Sequence, residues 1–332
     1  MMVSLGSGAM GSSGSVQAPV RAQVQSPVDF DGWVRQQLLS VEAALSQWVP
    51  QGAPAGLGEA MRYGVLDGGK RLRPLLVLAA CEAVRGDPAH ALRAAAAVEL
   101  IHAYSLIHDD MPCMDNDVLR RGKPTVHVKF GQAQAMLAGD AMQALAFEVL
   151  TADEHIPTSL QSHWCRLLAR ASGHDGMAGG QAIDLASVGV ALDESSLAAM
   201  HGKKTGALLK ASVLMGAACQ AVDARAWESL GRFGDALGLA FQVVDDVLDV
   251  TQASDVLGKT AGKDQHHNKP TYVSVMGVEK AMDYARTLGR RAQQALEQSQ
   301  RQMEDDLARL QVELERMAAA QKGKDRKSTR LN

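Results

Sequence analysis

From Phe30 onward the apolar residues fall at three- and four-residue steps. Val34, Leu38, Leu39, Val41, Leu45 and Trp48 begin the pattern, and that period marks an amphipathic helix. Similar patterns predict helices over roughly 58–66, 72–85, 88–108, 131–150, 159–171, 194–219, 225–250 and 270–317. Pro50 to Gly56 reads as a loop, and the other Gly and Pro clusters fall between periodic segments. No alternating stretch long enough to make a useful strand occurs. Central segments such as VELIHAYSLIH and LGLAFQVV are apolar nearly all round, as buried helices are. The expected fold class is all-α, one domain built of helices.

The two ends depart from this pattern. Residues 1–27 are rich in Gly, Ser, Gln and Pro without a period and read as a disordered arm. The domain is then expected over 28–296. Residues 297–332 form an atypical end: a charged amphipathic helix with Leu307, Leu310 and Leu314 on one stripe, then a basic, structureless tail, KGKDRKSTRLN.

Composition sharpens the picture. Of 332 residues 46% are apolar but only 4% aromatic; with Ala, Leu and Met plentiful, that bias favours helix over sheet. The net charge of −3 gives no electrostatic reason to expect nucleic acid. Cys81, Cys113, Cys165 and Cys219 are widely spaced with no CxxC pair, which argues against a zinc site or disulfide scaffold and fits a reduced cytoplasm. No apolar run reaches the ~18–20 residues of a membrane span, and no secretory signal is expected.

The chemistry is announced by two aspartate clusters in these apolar surroundings. Asp109, Asp110 and Asp115 stand in HDDMPCMDND; Asp245, Asp246 and Asp249 stand in FQVVDDVLDV. Ionised carboxylates are costly in a core unless something pairs with them. A hard cation such as Mg²⁺ takes carboxylate oxygen and bridges to substrate phosphates. Asp245 and Asp249, at i and i+4, share a helix face. Asp109 and Asp115 do not, but Pro112 interrupts the helix between them. A local loop can then swing Asp115 back beside Asp109.

Cations match these acids. Lys70, Arg71 and Arg73 lie in GGKRLRP at an expected helix start, where free N–H groups also favour anions. RRGKP follows the first cluster, and HGKKTG and GKTAGK add lysines on Gly-bearing segments. Guanidinium groups suit bidentate phosphate contacts. GVLDGGK satisfies the spacing of a P-loop, but Arg71 stands where Ser or Thr must bind Mg²⁺ and no strand precedes it. His102 alone reads as a core histidine. His108-Asp109 is reminiscent of the dyad of metal-dependent phosphohydrolases, whose other ligands cannot be assembled here.

In order, GGKRLRP (68–74), ELIHAYSLIHDDMPCMDNDVLRRGKPTVH (99–127), GGQAIDL (179–185), KTG (204–206), FQVVDDVLD (241–249) and GKTAGKD (258–264) are specific in combination. The chain from about Phe30 to Leu296 resembles the trans-isoprenyl diphosphate synthases, most closely the bacterial farnesyl diphosphate synthases. The resemblance implies the isoprenoid synthase fold, a bundle of long helices around a deep central cavity, usually a homodimer. It implies isopentenyl diphosphate and an allylic diphosphate as substrates and about three Mg²⁺ ions. Asp109 and Asp115, then Asp245 and Asp249, match the metal-binding aspartates. Arg120, Lys204, Thr205, Gln242 and Lys259 match residues on the allylic diphosphate. Lys70, Arg73, His102 and Arg121 match the isopentenyl diphosphate pocket. Asp109, Asp115, Lys204 and Asp245 are the expected catalytic set.

In the family, residues just before the first aspartate motif set the product length. Tyr104 and Ser105 stand five and four residues before Asp109, and a bulky Tyr104 favours C15 over C20. The expectation is a farnesyl diphosphate synthase, with geranylgeranyl or geranyl diphosphate synthase as the alternative. A class I terpene cyclase is disfavoured because its second motif mixes Asn or Asp with Ser or Thr and Glu. A silent partner subunit is disfavoured because both aspartate sets are present. The charged end after residue 296 does not match the short helix with which the family usually closes.

Overall fold

The structure is a computed structural model that describes residues 29–66, 68–251 and 270–328, with side chains through residue 305. The helices are α1 (Phe30–Trp48), α2 (Leu57–Leu66), α3 (Leu72–Ala83), α4 (Pro88–Asp109), α5 (Val126–Phe130), α6 (Gln132–Thr151), α7 (Thr158–Ser172), α8 (Met177–Ala186), α9 (Glu194–His201), α10 (Ala207–Ala217), α11 (Ala224–Thr251), α12 (Tyr272–Met276) and α13 (Val278–Ser328). The only strands among the described residues are β1 (Leu119–Arg120) and β2 (Lys123–Pro124), an antiparallel pair. Arg121 and Gly122 join them with φ of 53° and 75°, the left-handed pair a two-residue hairpin requires. The fold is all-α, as the apolar period requires.

Helix α4 is the axis of the bundle. Its run Ala94, Ala95, Ala96, Ala97 and Val98 is fully buried, and the small side chains let α3 and α6 pack close on either flank. Asp87 caps its start by accepting from Ala89 N–H at 2.8 Å, with Pro88 in the first turn, a preorganised beginning. Helix α10 packs between α3 and α11. Trp164 of α7, fully buried, donates its indole N–H to Met215 O of α10 at 2.8 Å. A second apolar cluster of Leu197, Met200, Val243, Tyr272 and Leu288 binds α12 and α13 to α11.

The expected helices lie close to the observed ones, with instructive differences. The segment 194–219 is not one regular helix: Gly202–Gly206 forms a π-helical turn between α9 and α10. The segment 270–317 breaks at Gly277, φ 82°. Helices α5 and α8 were not expected; both are short and follow Gly or hairpin sequence that reads as loop. Helix α13 runs through Ser328, which corrects the expectation of a structureless basic end for its first residues. The N-terminal arm lies outside the described residues. Leu39, expected on the apolar stripe of α1, is exposed, whereas Val41 and Leu45 are buried.

Candidate active site

A cavity of about 530 Å³ opens among α3, α4, α8, the π turn and α11, within the range typical of ligand sites. Helix α4 contributes His102, Tyr104, Ser105, His108 and Asp109; α11 contributes Phe241, Gln242 and Asp245; the π turn contributes Lys204 and Thr205; α3 contributes Arg73. The first carboxylate of each cluster, far apart in sequence, thus lines the same cavity.

The local geometry follows from the residues. Helix α4 ends at Asp109, three residues before Pro112. The chain then folds back, and Asp115 N–H donates to Asp109 O at 2.8 Å. The return loop expected from Pro112 is present. Asp245 and Asp249 are one turn apart on the unbroken α11, with Asp249 buried.

The middle aspartates face elsewhere. Asp110, buried, is gripped by Arg120 through Nε and Nη2 at 2.6–3.0 Å. Asp246, also buried, accepts from Gln242 Nε2 at 2.8 Å and from the Tyr272 backbone N–H at 2.8 Å. Gln242 in turn accepts from the Thr205 hydroxyl at 2.9 Å. Each buried carboxylate therefore orients a polar residue of the site.

The π turn is held from two sides by close backbone approach. A Cβ on Gly180 of α8 would lie 2.2 Å from Lys204 N, and one on Gly238 of α11 would lie 2.6 Å from Gly206 Cα. Single-turn π segments are frequent at functional sites because they redirect side chains. Here the turn aims Lys204 and Thr205 into the cavity. Lys204 Nζ donates to Asp184 Oδ2 at 2.5 Å.

The basic side is built around His102. Burial holds its ring well below the ordinary histidine range, and Arg73, Arg121, Arg120 and Arg71 add positive potential. Arg73 lines the cavity with a buried Nε that has no partner. Arg121 donates to Gly68 O and lies against Gly69, beside the exposed Lys70. Arg71, grouped with these by sequence, turns into the core instead, pairing with Glu42 at 2.6 Å and Glu99 at 2.7 Å.

Of the residues singled out from the sequence, the cavity wall unites Arg73, His102, Tyr104, Ser105, Asp109, Lys204, Thr205, Gln242 and Asp245. Lys70, Asp115, Arg120, Arg121 and Asp249 lie off that wall, and Lys259 lies outside the described residues. GGQAIDL stands among the motifs that carry the resemblance, but no role is expected there for Gln181 or Asp184; its Gly pair is the signal of close backbone approach. Tyr104 is 9% exposed and meets His108 edge-to-face at 5.7 Å. Burial, then Asp109, pushes its hydroxyl pKa up. His108 Nε2 lies 3.1 Å from Met136 O of α6.

Among the described residues no three His, Cys, Asp or Glu side chains converge closely enough to cage a metal by themselves. Asp109 and Asp245 instead line an open cavity. All-oxygen donors used one or two at a time suit Mg²⁺, which keeps waters and shares phosphate oxygens. The donor set fits that ion.

The chain matches the Polyprenyl synthetase family over residues 54–310. It is 46% identical over 278 residues to a chloroplastic geranylgeranyl pyrophosphate synthase of Capsicum annuum, covering 83% of this chain and 75% of that one. It is 45% identical over 259 residues to a farnesyl diphosphate synthase of Geobacillus stearothermophilus, covering 77% and 87%. An FPP/GFPP synthase from Zymomonas mobilis superposes with a TM-score of 0.72 at 41% identity, covering 80% and 92%. A Helicobacter pylori geranyltransferase complexed with magnesium and isoprenyl diphosphate superposes with a TM-score of 0.73 at 33% identity, covering 84% and 96%. Paired aspartates facing an apolar cavity, a cationic rim beside them and this likeness over most of the chain lead to one assignment: the chain belongs to the polyprenyl synthetase family of prenyltransferases.

Proposed function

We propose that the cavity joins isopentenyl diphosphate to geranyl or dimethylallyl diphosphate and stops at the C15 product, farnesyl diphosphate. The observation that carries this reading is the cavity itself: Asp109 and Asp245 on its wall, with Tyr104 about five residues, ~7.5 Å, back along α4. Mg²⁺ held by Asp109, Asp115, Asp245 and Asp249 would supply Lewis-acid neutralisation of the leaving diphosphate.

The chain's own residues do the rest. Lys204 and Arg120 place positive charge on the allylic diphosphate, where charge grows as the C–O bond breaks. Arg73, His102 and Arg121, with the exposed Lys70 beside them, bind the diphosphate of isopentenyl diphosphate. The Thr205 hydroxyl and the Gln242 amide, locked to each other and to Asp246, offer oxygens to the allylic cation without reorganising. The isopentenyl double bond attacks C1 of that cation, and the released diphosphate takes the proton. The apolar wall excludes water that would otherwise quench the cation.

Tyr104 decides the length in this reading. Its ring borders the cavity and meets the His108 ring edge-to-face. The likeness to geranylgeranyl pyrophosphate synthases supports C20 as the second reading. Incubation with Mg²⁺, isopentenyl diphosphate and geranyl diphosphate, followed by product chromatography, tests the choice. C15 is expected; C20 as the main product overturns the assignment of Tyr104, and no product overturns the reaction.

A further inference from the structure

Helix α8 presents Met177, Ala178, Gln181, Ala182 and Leu185 to the cavity, a stripe at helical spacing. Four of the five are apolar, the surface a hydrocarbon chain requires. Gln181 interrupts it. Its Oε1 and Nε2 are both buried, and neither has a hydrogen-bond partner. An amide left so costs folding stability, and a Met or Leu would complete the wall without that cost.

The helix that carries the amide is held in place. Gly180, its neighbour, packs on the backbone of Lys204, where a Cβ would fall 2.2 Å from the nitrogen. Asp184, almost one turn on, binds Lys204 Nζ at 2.5 Å. Gln181 therefore rides on a helix fastened at both sides to the turn that carries Lys204 and Thr205. A buried, unpartnered dipole carried on a fixed helix beside a ligand cavity is placed to act as a preorganised electrostatic group.

We propose that Gln181 is a further catalytic residue, whose side-chain carbonyl oxygen lies against the allylic cation and stabilises it. This rests on the reading of the cavity as a site that ionises an allylic diphosphate. The neutral hydrocarbon of the bound substrate has no charge for the dipole to meet. The cation does, so the interaction strengthens only as the C–O bond breaks and acts on kcat.

The test compares Gln181→Met, close in volume, with wild type and with Gln181→Glu, which keeps an oxygen at the position. Binding of two unreactive ligands is measured beside turnover: an ammonium analogue of the allylic diphosphate, and the thiolodiphosphate, whose hydrocarbon is uncharged. Q181M is expected to lower kcat about 10- to 100-fold, with both KM values within about twofold and the melting temperature unchanged or higher. It should weaken binding of the ammonium analogue by about tenfold while leaving binding of the thiolodiphosphate unaffected. Q181E should recover most of the lost kcat. Unchanged kcat and unchanged ammonium binding in Q181M overturn the proposal. Equal losses for both ligands together with a lower melting temperature also overturn it, since they mark a structural role. Failure of wild type to bind either ligand would instead overturn the reading of the cavity.

Discussion

Arg120 grips Asp110 through two nitrogens: Nε lies 3.0 and 2.8 Å from the two carboxylate oxygens, and Nη2 lies 2.6 Å from Oδ1. Burial pushes the Asp110 carboxyl up, and Arg120 pulls it down. Burial works against the charge of Arg120, and Asp110, with Asp109 and Asp115 beyond it, outweighs that. Two adjacent aspartates thus have different tasks. Asp109 lines the cavity, whereas Asp110 orients a guanidinium.

The difference is measurable. Asp109→Asn should lower kcat by ~10²-fold or more while leaving the melting curve nearly unchanged, because it removes charge from the reacting side of the cavity. Asp110→Asn should destabilise by roughly 1–3 kcal/mol, less than for a fully buried pair because the Arg120 side chain is 32% exposed. Thermal melts beside kinetics decide it, and the reversed pattern would sink the division of labour.

The two proposed diphosphate pockets should separate kinetically. Arg73→Ala is expected to raise KM for isopentenyl diphosphate with little effect on kcat. Arg73→Met should also melt no lower than wild type, since a buried guanidinium with an unpartnered Nε is removed. Lys204→Ala should lower kcat, because contacts to a departing group strengthen in the transition state. Equal effects of both substitutions on both substrates contradict the separation.

Tyr104→Ala should lengthen the product. The ring borders the cavity, and its loss leaves space that a neighbouring helix cannot fill, since cores relax only partly around a deletion. C20 should rise at the expense of C15. A variant that melts lower but still makes only C15 would show that Tyr104 is ordinary packing. Chromatography of the product and a thermal melt distinguish the outcomes.

His201 predicts an acid sensitivity of the fold. It is 6% exposed, stacks on Tyr272 at 5.6 Å and has no hydrogen bond on either ring nitrogen. Burial holds its pKa at about 4; Asp184 opposes this and Lys204 adds to it. In the unfolded chain the ring titrates near the ordinary 6.5. Between these values the unfolded state binds more protons, so stability falls as pH drops from about 6.5 to about 4, by on the order of 3 kcal/mol. His201→Phe, which keeps the stack, should flatten the slope of unfolding free energy with pH in that window by about one proton. An unchanged slope would refute the assignment.

Much of this protein can be read from its local pattern. Apolar spacing every three or four residues predicts helices whatever packs against them, so α1, α3, α4, α6, α7 and α11 appear within a few residues of their expected bounds. Pro112 cannot continue a helix, so the return of Asp115 to Asp109 was legible too. The cost of burying carboxylates suggests a shared partner for the two aspartate clusters, and Asp109 and Asp245 line one cavity. These inferences depend on interactions within a few residues or on chemistry that any fold must obey.

Contacts between remote segments decided the rest. Nothing near Asp110 or Asp246 says that they brace Arg120 and Gln242 while their neighbours face the cavity; the direction of a carboxylate depends on which helix lies opposite. Arg71 and Arg73 stand two apart in one basic motif, yet Glu42 and Glu99 draw Arg71 into the core. The π turn needs Gly180 and Gly238 pressed against it from two other helices, so sequence period alone reads a plain helix across 194–219. Gln181 has no assigned task in its motif until α8 is turned toward the cavity. A sequence specifies which side chains a helix carries; only packing decides which of them meet, because the partner surface comes from residues tens to hundreds of positions away.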